Sequence, residues 1–116
     1  MEINKDTFYQ FLDEKINNIE NIVWLSSIIF HKLYKDKYIF VCYIKDTWIH
    51  KIDNTMTSIQ VKNCILNDIK NLINELSLYN KTRKNECINI IINKLNDKIF
   101  IKGVINELRE LFFNPS

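Results

Sequence analysis

The sequence predicts a mainly α fold, about five helices with one small β-hairpin, and three observations carry that prediction. Apolar side chains recur at steps of three and four in five separate segments, the spacing that stacks them on one helical face. A single run of aromatic and β-branched residues, Tyr38 to Ile44, is followed by a polar break and a shorter run of the same kind, as a hairpin requires. Gly and Pro occur once each in 116 residues, too few for a sandwich or barrel that turns every ten residues. A chain of this length suits one domain, residues 1–116.

The first helix is expected from about Thr7 to Asn17, with Phe8, Phe11, Leu12 and Ile16 on its apolar face. Asn17 with Glu20 resembles a capping box for the second helix, about Ile19 to Tyr34. That helix carries Ile22, Leu25, Ile28, Ile29 and Leu33 on one stripe, widened by Trp24 and Phe30, and is expected to be buried on two sides. The strands follow as Tyr38–Ile44 and Trp48–Ile52, separated by Lys45-Asp46-Thr47. Because an isolated hairpin is marginal in water, it must pack on helices. Thr57 and Gln60 form a second capping-box pattern ahead of the longest helix, whose stripe is Val61, Ile65, Ile69, Leu72, Leu76 and Tyr79. A turn is expected at Asn80 to Arg83. A fourth helix then holds Cys87, Ile88, Ile91, Ile92 and Leu95. Asn96-Asp97 caps a fifth, with Phe100, Val104, Ile105, Leu108, Leu111 and Phe112 inward.

Composition excludes more chemistry than it suggests. With Gly103 as the only glycine there is no Gly-rich phosphate loop. Asn and Ile together supply 37 residues, Ala is absent and Lys outnumbers Arg 14 to 2, a bias that points to an AT-rich genome. The net charge of +2 is small for a nucleic-acid binder, but it is unevenly spread: residues 1–58 sum to −1 and residues 59–116 to +3. The densest stretch holds Lys81, Arg83, Lys84, Lys94, Lys98 and Lys102 against Glu86 and Asp97. These six are the candidate contacts to a phosphate backbone, the alternative being a solvated lysine face.

Cys42, Cys64 and Cys87, spaced by 22 and 23, form no CxxC and no metal-ligand pair. They read as reduced core thiols among apolar neighbours, with no metal and no cofactor expected. Met1-Glu2 begins no signal peptide, and the apolar runs are too short to span a bilayer. No membrane association is expected, and a reducing compartment is, the cytoplasm or the nucleus. His31 and His50, one on a helix and one in a strand, are read as structural imidazoles rather than as bases for a cysteine. Asp13 and Glu14 point about 100° apart on a helix and cannot share a proton. Glu107 and Glu110 share a face, with Arg109 and solvent as expected company. The chain alone is therefore not expected to be an enzyme.

Two further features bear on binding. Trp48, near Tyr43 and Tyr38, is either a stacking platform for bases or, as we read it, the core plug that fixes the hairpin on the helices. Leu111-Phe112-Phe113 places three large apolar groups close to the end of the sequence. A docked last helix and a chain cut from a longer protein both account for that; exposed Phe112 and Phe113 would mark an interface, buried ones a finished core.

The order of these elements resembles a known one. An amphipathic helix, the hairpin stretch His31 to Ile52, a long helix and the closing stretch Lys94 to Ser116 are similar to the region just upstream of the ATPase in poxvirus-type primase–helicases. These are superfamily 3 replicative enzymes of large DNA viruses, with relatives in phages and plasmids. In that family a Tyr-bearing strand leads through a turn to a Trp, here Tyr43 and Trp48. Later a segment like Phe100–Ile105 precedes Glu107-Leu108-Arg109 and an aromatic close at Phe112. The resemblance spans about Ile19 to Ser116 and rests on packing residues. Two departures stand out: Lys51 to Asn54 lacks the family's second aromatic, and the ATPase is absent from these 116 residues.

The resemblance implies a helical accessory or collar region of a viral replicative helicase, a fragment or N-terminal part of a longer protein. It would aid homo-oligomer assembly and guide single-stranded DNA, with ATP hydrolysis in the parent's downstream domain and a viral factory or the cytoplasm as its location. The other reading, from a different class, is a stand-alone small viral interaction module that uses an apolar groove.

Overall fold

The structure is a computed structural model that describes residues 5–17, 21–42 and 44–114. It contains helices α1 (Lys5–Lys15), α2 (Ile22–Tyr34), α3 (Ser58–Arg83), α4 (Glu86–Leu95) and α5 (Lys98–Leu111), with strands β1 (Tyr38–Cys42) and β2 (Asp46–His50) between α2 and α3. Mainly helical with one two-stranded antiparallel sheet, this is the fold class the spacing predicts.

The helix boundaries follow from side chains that satisfy free backbone groups. Thr57 and Gln60 form the expected capping box, each side chain bonding the other's backbone N–H at 3.2 and 2.9 Å. Asp97 accepts from the Ile99 N–H and starts α5. The start of α2 differs from the expectation. Asn21 is the cap, accepting from the Trp24 N–H at 3.0 Å, while Asn17 donates back to the Asp13 carbonyl and closes α1. Glu20, the other half of the expected box, lies outside the described residues.

The turn expected at Asn80–Arg83 is the last turn of α3. The chain reverses one residue later, at Lys84, which takes the left-handed conformation (φ 49°) that lets its N–H close on the Asn80 carbonyl. Asn80 then reaches across the reversal, its side chain accepting from the Asn85 N–H and donating to Asn89. The hairpin register also differs from the reading. Tyr38 faces His50, Phe40 faces Trp48 and Cys42 faces Asp46, so Asp46 and Thr47 belong to the second strand rather than to the break.

At about 1.5 Å per residue, the 26 residues of α3 run for about 39 Å and set the 44 Å long dimension of the molecule. Helix α4 folds back along α3, β2 packs on the N-terminal part of α3, and α5 leaves α4 to pack along α2. One continuous core joins α1 (Phe8, Leu12), α2 (Leu25, Ile29, Phe30), the hairpin, the α3 stripe and the inner faces of α4 and α5.

Candidate functional site

The hairpin end of the molecule is closed by aromatic rings. Trp48, 1% exposed, packs on Phe40 at 4.9 Å between centroids and on Phe112 at 5.9 Å. Phe112 in turn meets Tyr38, Phe30 and His31 edge-on. The backbone seals the same spot: the Phe40 N–H donates to the Phe112 carbonyl and the Asn114 N–H to the Phe40 carbonyl, so residues 112–114 lie beside β1 like a short parallel third strand. The Trp48 N–H donates to Ser58 Oγ at 3.0 Å, tying β2 to the start of α3. No face of the Trp48 ring is open to a base, which places it as the plug rather than the platform. Its intended neighbour in the sequence reading, Tyr43, lies outside the described residues. Of the two interface candidates, Phe112 is buried and Phe113 is 49% exposed.

Beside this knot lies a polar junction that sequence reasoning missed. Asp68, on the core side of α3 and 4% exposed, accepts hydrogen bonds from the Tyr38 hydroxyl and from Lys37 Nζ, the latter at 2.8 Å. The Lys37 ammonium also sits over the rings of Tyr34 and Tyr38. Burial, then the hydrogen bond to the Asp68 carboxylate and its charge, push the Tyr38 hydroxyl far up from its usual pKa; burial and Asp68 push Tyr34 up to about 12. Tyr38 keeps its proton at neutral pH, and its bond to Asp68 ties β1 to α3. The signal was present in the sequence: Asp68 falls three residues after Ile65 and four before Leu72, on the apolar stripe itself.

The six basic candidates divide into two groups. Lys81, Arg83 and Lys84 close α3; Lys94, Lys98 and Lys102 flank the α4–α5 junction. All six are exposed, and most of α4, Glu86–Leu95, lies between the groups. Arg83 pairs with Asp13 at 3.8 Å and covers the Tyr79 ring, whose hydroxyl donates to Asp13. That arrangement joins the ends of α1 and α3 and gives Arg83 a structural employment. Lys81 and Lys94 lie at helix C-termini, where the macrodipole favours a cation. Lys98 opens α5, where the dipole opposes one.

Lys98 and Lys102 border an open groove of about 520 Å³ between α3 and α5. Ile69 and Leu95, both 1% exposed, form its floor; Ile73, Ile101 and Ile105 form its sides and Leu66 its outer lip, with Lys70 on the α3 rim. The groove exists because α4 is short and the cap at Asn96-Asp97 sends α5 toward α2 instead of back along α3.

The remaining candidates are structural or isolated. Nδ1 of His50 accepts from the Ile52 and Asp53 N–H groups, which fixes the turn after β2. His31 packs edge-on to Phe112, and burial followed by the charges of Lys35, Lys32 and Lys51 lowers its pKa. Cys64 and Cys87 are half-buried. Cys42 corrects the expectation of three core thiols: it is exposed beside the hairpin turn, where the sheet runs past the helices. Arg109 reaches Asp46 of the hairpin at 3.3 Å rather than pairing with Glu107 and Glu110. Among the described residues no three His, Cys, Asp or Glu side chains gather to hold a metal, and no helix is long and apolar enough to cross a membrane. No family model, curated protein or solved structure matches this chain.

Proposed function

We propose that this chain is a helical accessory region of a viral superfamily 3 primase–helicase, a collar that aids oligomer assembly and guides single-stranded DNA toward a motor carried elsewhere in its parent. The sequence resemblance from Ile19 to Ser116 supports the assignment. The observation that carries the DNA contact is the clustering of Lys94, Lys98 and Lys102 at one junction, exposed and without a carboxylate partner among the described residues. Lys81 and Lys84 extend the basic surface at the far end of α4, and the half-exposed Phe113 is the side chain offered to a neighbouring subunit. The chain's part is to bind and orient; no catalytic group enters.

The test is a salt titration of fluorescent single-stranded DNA binding, run beside light scattering for mass. Each phosphate contact on a single strand contributes about 0.7 to the slope of log K against log salt. Replacing Lys94, Lys98 and Lys102 together by Gln should therefore flatten the slope by about 2. An unchanged slope removes these lysines from the reading. A wild-type monomer that ignores DNA at low salt removes the collar altogether and puts the interaction-module reading first.

A further inference from the structure

We infer that the groove between α3 and α5 is a docking site for an acidic amphipathic helix of a partner protein. Two helical stripes face it, Leu66, Ile69, Lys70 and Ile73 from α3 and Lys98, Ile101, Lys102 and Ile105 from α5, each at positions i, i+3, i+4 and i+7. Stripes of this kind on two neighbouring helices leave a channel that a third helix can fill. The facing stretch of α3 covers about 10 Å, two turns of an occupant.

Charge selects the occupant. Three of the lining residues are lysines and none is a carboxylate. The N-terminus of α5, the positive end of its dipole, adds to the same field. Lys98 stands in that first turn against the dipole, a position that an acidic partner makes favourable. The floor speaks against nucleic acid as the occupant, since bases bind on aromatic rings and no aromatic side chain lines this groove. The site thus differs from the phosphate contacts proposed above, although Lys98 and Lys102 belong to both surfaces.

The experiment uses the full chain and two labelled helical peptides of equal length. Both carry Leu at i, i+3, i+4 and i+7; one has Glu at the flanking positions and the other Lys, and binding is read by fluorescence anisotropy. The acidic peptide should bind roughly tenfold or more tightly than the basic one, and changing Lys70, Lys98 and Lys102 to Glu should invert that preference. Leu66→Glu should weaken the acidic peptide to a similar degree without touching DNA affinity, and Lys94→Gln should do the opposite, so the two proposals fail separately. Circular dichroism of each variant establishes that it is folded. Equal affinity for the two peptides, or a preference that survives charge reversal, overturns the inference. Displacement of the acidic peptide by dodecanoate at lower concentration also overturns it, in favour of a small anionic amphiphile.

Discussion

At the hairpin end, a helix terminus, two strands and four rings converge on Phe112, and main-chain hydrogen bonds on both sides of Phe40 fasten the chain there. At the α4–α5 junction, residues just as apolar, isoleucines and leucines with lysines between them, line a gap. Hydropathy does not distinguish the two regions. What differs is whether the next element returns to cover the apolar face. Residues 112–114 return to β1, whereas α5 is directed away from α3 by the cap at Asp97. A closed region of this kind stores stability, and an open one with a uniform charge offers a surface.

The sharpest way to break that comparison is to truncate one large side chain in each region. Trp48→Ala should cost about 3–5 kcal/mol, the range for emptying a fully packed aromatic site. Leu66→Ala, at the exposed lip of the groove, should stay within about 0.5 kcal/mol. Urea denaturation midpoints measure both. Trp48 acts here through area and not through its indole N–H, because Nε1 is buried without a partner. Similar losses for the two variants would mean that the groove is as much a part of the core as the aromatic knot.

A smaller effect separates the two partners of the polar junction. Asp68→Asn removes the charge that Tyr38 and Lys37 bond to and should cost about 1.5–3 kcal/mol. Lys37→Met should cost less than about 1 kcal/mol, because the lysine side chain is 34% exposed and water replaces much of what it loses. The junction also sets an alkaline limit. In the unfolded chain tyrosines ionise near pH 10, whereas Tyr34 holds its proton to about 12 and Tyr38 is raised as well. The stabilisation is intact below pH 10 and is lost as pH rises from 10 through about 12. Tyrosinate absorbance followed together with helicity should show tyrosine ionisation extending well above pH 10. Simultaneous ionisation of all tyrosines in the folded protein would contradict the burial of the junction.

The helices were legible because their signal is local: spacing of three and four, and caps such as Thr57–Gln60 whose partners lie within one turn. Errors arose where several local solutions compete. Asn17 and Asn21 both offer capping side chains, and the Asn17 amide is taken by the Asp13 carbonyl. Lys45-Asp46-Thr47 is as polar as a turn, yet β pairing depends on backbone register, and register carried Asp46 and Thr47 into the strand. The third-strand pairing at Phe113 has no side-chain signature, since three residues suffice for its two hydrogen bonds. Of the binding surface, Lys98 and Lys102 were legible as charge. Their grouping with Lys70 around an apolar floor depends on the distance between α3 and α5, which the spacing within either helix does not encode.

The smallest effect concerns the face of α5 turned toward α2. Gly103 lies inside α5, where glycine is less favourable than alanine by about 1 kcal/mol because it surrenders more backbone freedom on folding. A Cβ built there would meet the two Val23 methyl groups at 3.8 Å, ordinary van der Waals contact. Its φ is not positive, so alanine meets no backbone strain. Gly103→Ala should therefore stabilise the protein by about 0.4–1 kcal/mol and raise the melting temperature without altering either peptide or DNA binding. A lowered melting temperature would mean that α2 and α5 pack more closely than 3.8 Å allows, and that the only glycine in the chain is needed for that approach. A raised one would place the contrast between the molecule's two regions in the direction α5 takes, and not in any special fit at its centre.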